Sequence, residues 1–69
     1  MQKIVKSKVI LLRETYYEKR RLFNEASNKF EYAPTEVRLD ELHDAGIEVL
    51  TAYNNWQAEV QRMRGALAR

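Results

Sequence analysis

No cysteine occurs in the 69 residues. That excludes disulfide staples and thiolate metal sites, and it fits a reducing compartment. Proline occurs once and glycine twice, while about a third of the chain is charged; these are the proportions of a helical protein rather than a turn-rich one. Long apolar runs are also missing. The first, Val9 to Leu12, stops at Arg13, too short for a signal peptide's apolar segment or a membrane span. The expectation is a soluble cytoplasmic protein with no membrane partner. A chain this short buries only about 60% of the surface its unfolded form exposes, so it tends to need a partner.

What the chain does have is helical periodicity. Leu39, Leu42, Gly46, Val49, Tyr53, Trp56, Val60, Met63 and Leu67 recur at three-four spacing, the seam of a heptad helix. Val5, Val9, Leu12, Tyr16, Lys19, Phe23, Ala26 and Phe30 do the same upstream, with Lys19 interrupting the apolar stripe. A lysine there lowers stability but can fix register, and its stem still covers apolar surface. Between the two stripes lies Tyr32-Ala33-Pro34-Thr35-Glu36. Proline disfavours helix at the preceding residue and suits a helix start, and Thr35, Glu36, Asp40 and Glu41 supply first-turn chemistry. Ser27-Asn28 leaves a second break open.

The sequence therefore predicts a single all-α domain, an antiparallel two-helix hairpin of coiled-coil type. Helix 1 is expected over about 3–32, a turn over about 33–35, and helix 2 over about 35–67. Pairing about the proline sets Tyr16 against Tyr53, Leu12 against Trp56 and Phe23 against Gly46. Tyr53 and Trp56 read as core residues, and Gly46 as a hole for the Phe23 ring. Two such hairpins are expected to dimerise into a four-helix bundle.

The net charge of +2 hides an asymmetry. Residues 1–33 carry eight Lys/Arg against four Glu, and residues 34–69 carry four Arg against six Asp/Glu. Folded as a hairpin, the chain is a rod with a positive open end and a negative turn. Lys3, Lys6 and Lys8 also have the wrong sign for a helix N-terminus. A second clue is the set of apolar residues off the seams: Ile4, Ile10, Leu11, Tyr17 and Leu22 in helix 1, and Ile47 and Leu50 in helix 2. A two-helix hairpin cannot bury two faces, and contiguous exposed apolar surface marks an interface. These seven residues, with Lys6, Lys8 and Arg13 of the basic end, form the expected partner-binding set. An antiparallel two-fold dimer would bring the two apolar groups together and match opposite ends of the rod.

Other constellations are weaker. His43 is the one histidine and has no second His or Cys to share a zinc ion. Asp40, Asp44 and Glu48 read as a solvated acidic face. Tyr16, Tyr17, Lys19, Arg20 and Arg21 could meet nucleic-acid phosphate with aromatic support. No nucleophile-base pair, catalytic carboxylate pair or glycine-rich phosphate loop occurs, so no enzymatic activity, metal or cofactor is expected. The favoured function is a small regulatory or adaptor protein, of phage- or plasmid-borne type, acting by protein-protein contact with itself or a larger protein. The alternatives are a dimeric RNA- or DNA-binding modulator and a structural or assembly component.

Overall fold

A computed structural model describes residues 7–67. Two helices, α1 (Lys8–Tyr32) and α2 (Glu36–Leu67), pack side by side as a hairpin. The all-helical hairpin is the architecture the periodicity predicts. α1 runs without interruption through Ser27-Asn28. Ile4 and Lys6, and with them Lys3 and Val5, lie outside the described residues.

The turn is closed by backbone and side-chain hydrogen bonds. Pro34 pushes its predecessor out of the helical region, and Ala33 is extended, with φ −146° and ψ 92°. The Ala33 N–H donates to the Lys29 carbonyl at 3.1 Å. Arg38 then reaches back from α2, and its guanidinium donates to the Lys29 carbonyl at 2.8 Å and the Ala33 carbonyl at 3.4 Å. Those carbonyls carry the negative end of the α1 dipole, so a cation there satisfies orphan acceptors and the field together. On the other side Thr35 caps α2, its Oγ1 accepting from the Arg38 N–H at 3.2 Å. Arg38 thus ties the two helix ends into one device, which its charge alone does not reveal. Thr35→Ala is expected to lower stability by about 1 kcal/mol, measurable by urea denaturation.

The α1 seam is as the spacing predicts. Val9, Leu12, Tyr16, Lys19, Phe23, Ala26 and Phe30 are all half-buried. On α2 the seam is rotated. Leu39, Tyr53 and Leu67 are 50%, 42% and 79% exposed, so three residues assigned to the seam do not line it. The side chains that do are Leu42, Ala45, Val49, Ala52, Trp56, Glu59 and Met63, again at three-four spacing. Ala52 and Glu59 are the two buried residues among those described. The reason is steric. Alanines let the backbones approach where a tyrosine would hold them apart, and a stripe drawn through the large apolar residues passes over alanine.

The register across the hairpin matches expectation. Tyr16 lies 5.5 Å from Tyr53 and 5.4 Å from Trp56 between ring centroids, and the Phe23 ring abuts Gly46. The expected reason for that glycine is corrected. A Cβ on Gly46 would sit 3.5 Å from Phe23 Cε2, an ordinary contact, so the ring does not need the hole. Nor does the backbone need it, since no described glycine has positive φ.

Candidate interaction face

The hairpin is one layer thick. It measures 51 × 31 × 13 Å, and its thin dimension is little more than one helix with its side chains. Its radius of gyration is 16.3 Å, where a compact domain of this length gives about 11 Å. Only Ala52 among described apolar residues is buried, and no large side chain is fully enclosed. Stable domains bury apolar surface between two layers; here each broad side of the single layer lies open.

The two sides differ chemically. On one, Lys19 Nζ meets Glu48 Oε1 at 3.5 Å, and Lys8 Nζ lies 3.7 Å from Glu59 Oε2. Arg62 Nε donates to Glu59 Oε1 at 3.0 Å, and its Nη2 reaches the same oxygen. Glu59 is only 5% exposed, yet its carboxylate is held by two cations. Its pKa lies below the ordinary 4.5, chiefly because of the Arg62 hydrogen bond, opposed by desolvation and aided by the charges of Arg62 and Lys8. A carboxylate with a depressed folded-state pKa stabilises the fold above its unfolded value. That contribution is lost as pH falls through the folded value. The Tm is therefore expected to drop as pH is lowered below about 4.5, and Glu59→Gln should shrink that drop. Circular dichroism melts from neutral pH to pH near 3 check this; an unchanged acid limb in Glu59→Gln would falsify it.

The opposite side is apolar. Toward the turn, Phe23, Leu42, Gly46, Val49 and Leu50, with His43 and Ile47 at the edge, line an open groove of about 520 Å³. Toward the open end stands a cluster of four rings in tilted and edge-on contact. Tyr16, Tyr17, Tyr53 and Trp56 have neighbouring centroids 5.4 to 6.3 Å apart, and the Arg20 guanidinium sits 5.7 Å from the Tyr16 centroid. Tyr17 and Tyr53 are the outward members, 51% and 42% exposed.

The expected partner-binding residues fall into separate groups. Tyr17 and Leu50 lie on this apolar side, Leu50 being 63% exposed. Ile10 and Arg13 share the Tyr17 flank at 100° per residue, but Ile10 is half-buried. Leu11 and Leu22, 49% and 36% exposed, lie on the opposite flank with Thr15. Ile47 straddles the outer surface of α2, lining both the apolar groove and the polar one beside Lys19 and Thr51. Lys8 is engaged with Glu59.

The basic run 19–21 does not form one patch, because consecutive residues diverge by 100°. Lys19 turns into the seam and pairs with Glu48. Arg20 lies over Tyr16, and Arg21 is clasped by Glu18 at 2.5 Å and Glu25 at 2.6 Å. Sequence reasoning missed the groove. Its signal was the glycine at position 46 flanked one turn away by Leu42 and Leu50, an indentation between large side chains on a helix surface.

No described helix is long and apolar enough to cross a membrane. No protein-family model, curated protein or solved structure matches this chain.

Proposed function

We propose that this chain is a small non-enzymatic regulatory or adaptor protein that acts by protein-protein contact, two hairpins associating into a four-helix bundle. One observation carries the reading: the single layer leaves its apolar side uncovered. The accessible surface is 5904 Å², whereas a compact chain of 8.2 kDa exposes about 4,500 Å². The excess of roughly 1,400 Å² per chain is more than the ~800 Å² each partner contributes to a standard interface. Stability of a hairpin with one buried apolar residue among those described would then come from association.

Sedimentation across a concentration series tests this. The expected result is a species of twice the chain mass that dissociates on dilution, with helical circular dichroism falling as it does so. A fully helical monomer at every concentration would sink the dimer. The RNA- or DNA-binding reading has less support, since Lys19 and Arg21 are engaged by carboxylates. It requires affinity for labelled nucleic acid that falls steeply with salt.

A further inference from the structure

We infer that the groove at Gly46 is the self-association site, and that it receives the outward tyrosine Tyr53 of a second copy related by a two-fold axis passing beside Leu50. This deepens the dimer reading above and rests on it.

The first argument is the unexplained glycine. Within one hairpin neither the Phe23 ring nor the backbone requires Gly46, although a glycine weakens a helix interior. A missing side chain at a half-buried position beside an open groove makes a floor that another molecule's side chain can reach. Here that floor lies in the apolar groove.

Self-complementarity is the second. An isologous interface needs a projection and a depression on the same face, on opposite sides of an axis. Leu50 lies four residues after Gly46 and three before Tyr53, so rotation about an axis at Leu50 brings the ring of one copy over the glycine of the other. Leu50 is also near the middle of Glu36–Leu67, so the two rods overlap along most of their length.

Charge gives the third argument and fixes the direction. The open half of the described rod, residues 7–20 and 50–67, carries six Lys/Arg and three Glu. The turn half, residues 21–49, carries three Lys/Arg and seven Asp/Glu. The antiparallel arrangement lays each positive half over a negative one, and a parallel arrangement would oppose like charges. The other broad side has its cations and carboxylates already matched within the hairpin.

The absence of cysteine makes the test clean. Leu50→Cys should give a disulfide-linked dimer on mild oxidation, because two residues at a two-fold axis are neighbours, while Asn55→Cys on the polar side should not. Gly46→Leu should raise the dimer dissociation constant about tenfold or more by filling the groove. Leucine forms helix better than glycine, so lost association could not be laid to a lost helix, but its branch extends toward the Phe23 ring. Leu50→Lys, at a position 63% exposed in the hairpin, must therefore weaken the dimer as well, and circular dichroism at high concentration confirms that both variants are helical. Retention of the dimer in Gly46→Leu, or cross-linking of Asn55→Cys in preference to Leu50→Cys, overturns this site while leaving self-association standing. A wild-type chain that is monomeric throughout overturns both.

Discussion

Trp56→Ala is expected to lower the stability of the hairpin by about 3 kcal/mol, the lower end of the range for removing a large aromatic from a core. Trp56 is half-buried rather than enclosed, which sets the figure at that end. It nevertheless contacts the other rings of the cluster, with Tyr16, Tyr17 and Tyr53 at 5.4, 6.3 and 6.2 Å. Each such pair adds about 0.5–1.5 kcal/mol beyond its burial. A domain of this length has a total stability of only about 3–10 kcal/mol, so the variant should melt on the order of 15 °C lower. Circular dichroism is the measurement to use, because the substitution removes the chain's one tryptophan. A shift of under a few degrees would mean that the cluster contributes little to holding α1 against α2.

The second large effect concerns a small residue. Ala52→Leu is expected to destabilise by about 1–3 kcal/mol through overpacking. Ala52 is 7% exposed and lies on the line along which the helices approach each other. Three further carbons there must push the helices apart. Separation would loosen both the Lys19-Glu48 pair, 3.5 Å across the helices, and the aromatic cluster. Tyr53→Ala should act differently, since Tyr53 is 42% exposed in the hairpin: its loss belongs in the association constant. A seam through Tyr53 implies the reverse order, with Ala52→Leu harmless and Tyr53→Ala severe. Denaturant melts of the two variants at one high protein concentration therefore separate the two placements of the seam.

The same pair of residues marks how far the amino-acid pattern could be followed. At 100° per residue the neighbouring positions 52 and 53 are both candidates for the seam, and the larger area that an aromatic ring can bury favours the tyrosine. What reverses the choice is backbone distance, which the pattern does not contain. Small side chains at 45 and 52 permit a close approach, so Leu39 and Tyr53 are carried outward. Glu59 could not be recognised as a seam residue from its type. A carboxylate is tolerated there only because Lys8 of the other helix and Arg62 one turn away cover it. Arg38 is a similar case. As a charge near the turn it looked like part of the electrostatic balance, whereas it caps α1 by bonding Lys29 and Ala33 across the bend.

Of the interaction face, the tyrosine and leucine that project from it could be named from their positions off the stripe, and so could the opposite charges of the two ends. The groove could not, because a glycine has no side chain to betray whether the space beside it is filled. Its shape emerged once the Phe23 ring, Leu42 and Leu50 were seen to wall an open space over position 46.

The amino-acid order by itself determined that there are two helices, where they bend, and which residues of the first turn inward. Heptad spacing and the restriction a proline places on its neighbour are local effects that act before any tertiary contact forms. The tertiary structure decided which stripe of α2 faces α1, and hence which face stays open. That choice depends on how closely two backbones can come together, a property of pairs of residues far apart along the chain.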